Sequence, residues 1–259
     1  MTMRFVPVLL LTAFLGSPAL AAADELQDVL FGVAKKSLTS SKMAEAPSSE
    51  GRRSAAGPQL YRQLVDSVAL VVTKESIGSG VVVTPRGHIL TNWHVVGSNK
   101  VVGVVARSRE LLRGLDRLKR EDVVLATVVA TDVRRDLAIL YVESPPASLR
   151  PVPLAEPDGV EVGQDVVSIG HPKGLLWSYT EGVVSQVRPD YQWTYESGTT
   201  HQATVIQTQT PTHPGSSGGA LFDASGRVVG VNYGGKDPTL SFAISVGEVR
   251  EWIQDLARR

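Results

Sequence analysis

The chain is expected to fold as an all-β protein of short antiparallel strands closed by a C-terminal helix. Three observations predict this. From Leu60 onward, short runs rich in Val, Ile and Thr recur, Gly, Pro, Asn and Asp punctuate them, and a helical apolar pattern stands at the chain end. β-branched residues suit a pleated, half-buried surface, and the punctuating residues suit turns. In order, the runs are Val68 to Thr73, Gly80 to Thr84, His88 to Thr91, Lys100 to Ala106, Val123 to Thr131 and Leu137 to Val142. Then come Asp165 to Ile169, Tyr179 to Val187, Ala203 to Thr208, Ala220 to Phe222, Val228 to Tyr233 and Leu240 to Ile244. The charged segment Arg107 to Asp122 is interrupted by Gly114. It is read as a solvated insertion in preference to a docking surface for an anionic partner, since Glu110, Asp116, Glu121 and Asp122 offset Arg113, Arg117 and Arg120. Val246 to Leu256 places Val249, Trp252, Ile253 and Leu256 on one helical face. The pattern makes one β-rich domain, or two small barrels in tandem.

Composition narrows the functions. The 259 residues hold 26 Lys+Arg against 26 Asp+Glu and are 42% hydrophobic and 20% charged, the balance of a globular protein and not of a disordered or nucleic-acid-coating one. There is no cysteine, which excludes disulfides, thiolate nucleophiles and Cys-ligated metals. A covalent catalyst must therefore be Ser, Thr, Lys, Asp, Glu, His or Tyr. His88, His94, His171, His201 and His213 show no close ligand spacing, so neither a metal nor a cofactor is expected.

The first residues read as a targeting segment. Arg4 precedes the apolar run Phe5 to Gly16, and small residues at Ala19 and Ala21 complete the layout of a secretory signal peptide over residues 1–23. The apolar run is shorter than the roughly 20 residues of a membrane-spanning helix. The expectation is export to the periplasm or medium, with no stable membrane insertion after the signal is removed. Residues 24–57 read as a short helix, with Leu26, Val29, Leu30, Val33 and Leu38 near helical spacing, and then a flexible Ser-, Ala-, Gly- and Pro-rich linker. The helix is either an element for homo-oligomerisation or docking, or a frayed leader on the domain at 58–259.

The chemistry begins at Pro214-Gly215-Ser216-Ser217-Gly218-Gly219, where glycines allow a sharp turn whose N–H groups approach a ligand. In isolation this is also the composition of a surface loop. His94 follows an apolar strand ending at Thr91, and Asp136 opens the strand from Leu137. A serine hydroxyl needs a base, and the imidazole needs an acceptor that fixes its tautomer. His94, Asp136 and Ser217 supply these groups.

Gly78-Ser79-Gly80, Thr91-Asn92-Trp93-His94-Val95-Val96, Asp136-Leu137-Ala138-Ile139-Leu140, Gly170-His171-Pro172-Lys173-Gly174, Gly215-Ser216-Ser217-Gly218-Gly219-Ala220-Leu221 and Gly230-Val231-Asn232 together resemble the trypsin-like serine peptidases of the HtrA/Deg type. The resemblance runs from about Leu60 to the end. It implies a chymotrypsin-like fold of two six-stranded antiparallel β-barrels with the active site between them. Ser217 would be the nucleophile, His94 the base and Asp136 its orienting acid, with the N–H groups of Gly215 and Ser217 as oxyanion hole. Ser217 is preferred over Ser216 because Gly-Gly follows it, and Asp132 is the rival to Asp136. Ser216 is neutral and no Ile-Val-Gly-Gly start is present, so activation by insertion of a new N-terminus is not expected. The chain also ends soon after Ser217, so regulation by a following PDZ domain is not expected. Pro211 would lie at the base of the pocket for the residue before the scissile bond. Without an acid there, small or medium apolar side chains are expected, because a buried Lys or Arg would lack a counter-charge. Val231, Asn232 and Tyr233 would offer backbone to an extended polypeptide substrate, and Phe242, Ala243 and Ile244 would line the pocket, although Tyr233 and Phe242 are equally readable as core aromatics. The function implied is an exported serine endopeptidase acting on unfolded or damaged envelope proteins. The alternative is a latent or inactive peptide-binding, chaperone-like module. The Gly-x-Ser-x-Gly elbow of α/β-hydrolases is rejected, since there the His comes last in the chain.

Overall fold

The computed structural model describes residues 18–39, 57–113, 115–237 and 240–258. Most of the expected leader, at 1–17, and the expected linker, at 40–56, lie outside them. Twelve strands form two closed antiparallel barrels of six. The first contains β1 (Val68–Val72), β2 (Ile77–Val82), β3 (His88–Thr91), β4 (Val101–Val105), β5 (Val123–Asp132) and β6 (Leu137–Tyr141), in the order β1-β2-β3-β6-β5-β4. The second contains β7 (Asp165–Gly170), β8 (Ser178–Thr194), β9 (Thr200–Thr208), β10 (Ala220–Asp223), β11 (Val228–Asp237) and β12 (Leu240–Ser245), and its order β7-β8-β9-β12-β11-β10 repeats that connectivity. The tandem-barrel form of the sequence expectation is the observed one.

Strand alternation builds three apolar layers. Val71, Ile89, Val104, Ala126 and Leu140 belong to the set that fills the first barrel. Val184, Ile206, Leu221, Val229 and Ala243 do the same in the second. Residues between these positions, such as Leu70, Leu90, Ile169, Val205 and Ile244, belong to a third layer, shared by both barrels and the helices. β1 is therefore buried on both faces, which explains its unbroken apolar run Val68-Ala69-Leu70-Val71-Val72.

Helices cover the outer surface. α1 (Pro18–Thr39) inserts Leu30, Ala34 and Leu38 into the shared layer, and these side chains are fully or almost fully buried. Along its polar side, Arg120 of the charged insertion bonds to Asp24 and Asp28. α2 (Gly57–Leu64) buries Leu60 and Leu64. The insertion itself folds as two short helical turns, Arg109–Arg113 and Arg120–Asp122, around a 3₁₀ turn, with Leu111 and Leu118 buried and Glu110 paired to Arg113 and Arg117. The closing helix, Val246–Arg258, packs Val249 and Trp252 inward.

β8 and β9 run further than their apolar content predicts. Pro189 and Asp190 resemble turn residues, yet the strand continues through a register shift between Arg188 and Tyr191, with Asp190 at φ 50°. A bulge leaves a residue unpaired, which suits a proline without an N–H. The hairpin so extended leaves its own barrel and reaches the first, where the Gln202 N–H donates to the Arg134 carbonyl at 2.7 Å.

One buried residue closes the seam between barrels. Ser79 on β2 donates its N–H to the Ser217 carbonyl at 2.7 Å and its hydroxyl to the Gly215 carbonyl at 2.7 Å. The same Oγ accepts the His171 N–H at 3.1 Å and lies 2.8 Å from His171 Nδ1. With the hydroxyl proton committed to Gly215, Nδ1 of His171 carries the donor proton. His171 is fully buried, and burial lowers its pKa from 6.5 to about 3, so the ring is neutral.

The unfolded chain takes up a proton at His171 below its ordinary value of 6.5, which the folded chain refuses until about 3. The stability this histidine allows is whole above pH 6.5 and falls as the pH drops from there toward 3. His171→Asn keeps a donor for Ser79 without the titration, so denaturation profiles of the two proteins should diverge by up to about one proton's slope on acidification, with the variant gaining on the wild type. Parallel profiles would contradict the buried, neutral assignment. Leu30→Ala should destabilise the protein by about 2–5 kcal/mol in urea unfolding, as expected for a truncated core leucine.

Candidate active site

β3 ends at Thr91, and one helical turn, Trp93–Val96, carries His94 out of the first barrel toward the seam. The β5–β6 turn brings Asp136 beneath it. His94 Nδ1 lies 2.8 Å from Asp136 Oδ2, and the His94 backbone N–H donates to Oδ1 at 2.9 Å. Both carboxylate oxygens thus face the histidine, and Nδ1 carries its proton toward the acid. Asn92 Nδ2 and the Trp93 N–H hold the Asp136 carbonyl at 3.0 and 3.1 Å. Asp136 is fully buried and sits at φ 56°, a left-handed conformation that Asp tolerates better than most residues.

The turn is braced from the second barrel's side. Arg135 bonds Asp132 at 2.7 Å and two glutamates of the closing helix, Glu248 at 2.8 Å and Glu251 at 3.0 Å. Asp132, the rival acid, is engaged there and makes no bond to His94. His201 on β9 donates from Nδ1 to the Val133 carbonyl.

Ser217 arrives on the opposite side of the seam, on the loop before β10. The Ser216 N–H donates to the His213 carbonyl at 2.8 Å across Pro214-Gly215, and Gly215 has φ 95°. This is the type II turn that proline then glycine at its centre favours. The Pro214 carbonyl accepts the Lys173 N–H at 2.7 Å, so the Gly215 N–H in the same trans peptide points the opposite way. Among the described residues, neither the Gly215 nor the Ser217 N–H has an intramolecular acceptor. A Cβ at Gly215 would come within 2.3 Å of the His171 carbonyl, and one at Gly218 within 2.0 Å of the Ser79 carbonyl. Ser216 is buried, its Oγ accepting the His213 N–H at 3.3 Å. The Ser217 hydroxyl donates to the Tyr233 carbonyl at 3.2 Å and makes no hydrogen bond to His94.

The residues expected to bind substrate divide by strand face. The Val231 side chain belongs to the shared layer and Ala243 to the interior of the second barrel, so both are sealed from the cleft and could contribute only backbone; Ile244 is likewise in the shared layer. Asn232 is buried, its amide donating to Ser168 at 2.7 Å. Tyr233 stacks on Trp193 at 4.3 Å between ring centroids, and Phe242 on Tyr191 at 5.3 Å. Pro211 is half-buried, and Thr212 beside it donates to Ser241 at 2.9 Å. β10 pairs with β11 only as far as Val231, opposite Ala220, while β12 continues to pair beyond Asn232 on the other side. Tyr233 to Gly235 therefore present one strand edge that β10 leaves open.

One site residue escapes sequence reasoning. Tyr195, at the tip of the β8–β9 hairpin, donates its hydroxyl to Asp136 Oδ2 at 2.9 Å and lies 3.3 Å from the Tyr233 carbonyl. Its ring is 4.5 Å from that of His94. A lone tyrosine in a turn gives no motif, and only the hairpin's length brings it there.

Comparison with known proteins gives the chain a family. A trypsin-like peptidase domain model matches residues 78–231. The chain is 32% identical over 202 residues to Protease Do-like 1, chloroplastic, of Arabidopsis thaliana, covering 76% of this chain and 43% of that protein. It is 33% identical over 159 residues to a probable periplasmic serine endoprotease DegP-like of Marinomonas sp. (strain MWYL1), covering 61% of this chain and 30% of that protein. The chain thus spans under half the length of these relatives. The Rv3671c protease of M. tuberculosis in its inactive form superposes with a TM-score of 0.61 at 26% identity, covering 79% of this chain and 97% of that one. The matched segment carries all three of His94, Asp136 and Ser217, and the chain belongs to the trypsin-like peptidase domain family.

Proposed function

We propose that the protein is an exported serine endopeptidase of HtrA type that cleaves polypeptides through an acyl-enzyme on Ser217. The observation that carries this reading is the turn at Pro214-Gly215, which leaves two backbone N–H groups without an acceptor among the described residues beside a serine, opposite a partly exposed His94 paired to the buried Asp136. Ser217 Oγ attacks the scissile carbonyl while His94 Nε2 takes its proton. Asp136 holds the imidazole in the required tautomer and stabilises its cationic form. The N–H groups of Gly215 and Ser217 receive the developing oxyanion. His94 then returns the proton to the departing amine, and water repeats the sequence to free the acid. The open edge at Tyr233 to Gly235 suits an extended chain added as a strand. Neutral Pro211, Thr212 and Ser241 suit a small or medium apolar side chain before the scissile bond. The leader-like first residues and a relative described as a probable periplasmic serine endoprotease favour the periplasm, where unfolded or damaged envelope proteins would be the substrates. No helix among the described residues is long and apolar enough to cross a membrane.

A second reading, a latent peptide-binding module, is favoured by one observation: the Ser217 hydroxyl rests on the Tyr233 carbonyl. Fluorophosphonate labelling with peptide mapping separates the two. Labelling should occur at Ser217, vanish in Ser217→Ala and survive in Ser216→Ala, while Gly215→Ala, whose Cβ would come within 2.3 Å of the His171 carbonyl and push the turn and its N–H out of place, should slow it by about 100- to 1000-fold, the scale of one misplaced oxyanion donor. A folded wild-type chain that never labels would leave the latent module. A peptide library should show cleavage after small or medium apolar residues, and preference for Lys or Arg would sink the pocket assignment.

A further inference from the structure

We propose that Tyr195 is a positioning residue for the His94–Asp136 pair, delivered by the β8–β9 hairpin. It rests on the peptidase reading above and adds to it a donor that the motifs do not contain. The phenol donates to Asp136 Oδ2 at 2.9 Å, the same oxygen that receives His94 Nδ1 at 2.8 Å. Oδ1 is taken by the His94 backbone N–H at 2.9 Å. A carboxylate with both oxygens engaged cannot rotate without breaking a charge-assisted bond, so the imidazole has one seat. The Tyr233 carbonyl, at 3.3 Å, is the weaker partner of the same phenol proton.

The donor and its acceptor are fixed to each other by independent contacts. Gln202 and His201, on the returning strand of the hairpin, bond the carbonyls of Arg134 and Val133 in the turn that carries Asp136. The Tyr195 ring packs 4.5 Å from His94 and 5.2 Å from His201. Burial, with Asp136 beside it, pushes the Tyr195 phenol well above its usual range, which keeps it protonated and able to donate. Aromatic contacts continue up the hairpin from His201 through Trp193 to Tyr191 and Phe242, a packed strip that holds the extension against β11 and β12. A hairpin serving only to cover apolar surface would need no phenol aimed at the one buried carboxylate of the cleft.

The test uses the full chain with Tyr195→Phe, which keeps the ring and removes the donor. Relieved of a competitor on Oδ2, the Nδ1–H of His94 should bond more strongly and its NMR resonance should move downfield. Labelling of Ser217 by a fluorophosphonate should slow by about tenfold, the scale of one hydrogen bond to a charged group. 3-Fluorotyrosine at position 195, a stronger donor of nearly the same shape, should move the resonance upfield, and it decides the matter if Tyr195→Phe does not fold. The resonance is also read in Ser217→Ala, where no turnover is needed. An unmoved His94 proton in the folded variants overturns the proposal even if labelling slows, since a purely structural hairpin would slow labelling without touching that proton. A proton that moves in a chain whose wild type never labels would uphold the positioning and reject the peptidase reading.

Discussion

Everything in the cleft depends on the hydrogen bonds that Ser79 makes across the seam. The imidazole and carboxylate belong to the first barrel and the serine loop to the second, and a serine and its base must approach within hydrogen-bond reach to act. Ser79 bonds the carbonyls on both sides of Ser216, at Gly215 and Ser217, from a strand of the opposite barrel. Those carbonyls point into the seam, and the Ser217 N–H between them has no acceptor among the described residues. His171 completes the contact from the second barrel with a neutral ring that demands no counter-charge. A buried polar contact of this kind is costly when half satisfied, which ties the Pro214-Gly215 turn to correct docking of the barrels.

Asp136 concentrates a second set of constraints. Its carboxylate and carbonyl together receive bonds from Asn92, Trp93, His94 and Tyr195. Its turn is held by Arg135 to the closing helix and by His201 to the hairpin. These braces over-determine a positive-φ residue that would otherwise relax, the usual condition for backbone strain to persist at a functional position. The closing helix, which contacts no reacting group, thereby reaches the site through Glu248.

What the sequence made legible follows from locality. Strand period and turn residues are local, and all twelve strands were readable from them; so was the His, Asp, Ser order, since each member sits beside a short motif. The extension of β8 was not, because Pro189 and Asp190 carry a turn's chemistry and only pairing with β9 across a bulge overrides it. Tyr195 lacks any local signal, its role arising from that extension. The Ser79–His171 contact joins residues on different barrels, and nothing in Gly78-Ser79-Gly80 announces which histidine answers it. The sequence leaves α1 open between an element for homo-oligomerisation or docking and a frayed leader, because amphipathicity shows a face and not the surface that covers it. The resemblance places Ala243 in the pocket, and strand alternation puts its side chain in the barrel interior instead.

In the proposed peptidase, the Tyr233 carbonyl would link binding to chemistry. It is the first acceptor on the edge of β11 that β10 leaves open, and it holds the Ser217 hydroxyl at 3.2 Å. A polypeptide added as a strand on that edge would bring its own N–H to this carbonyl. The serine proton would then lose its resting acceptor as the base comes within reach of a bound substrate. Exchanging one such bond for another costs on the order of 1 kcal/mol or less, so the exchange is readily reversed when the peptide leaves. Tyr195 touches the same carbonyl but gives its proton chiefly to the charged Asp136, so the orientation of His94 would survive the exchange. The base would stay set while the nucleophile changes partner, and the order of events would follow from which acceptor each hydroxyl prefers.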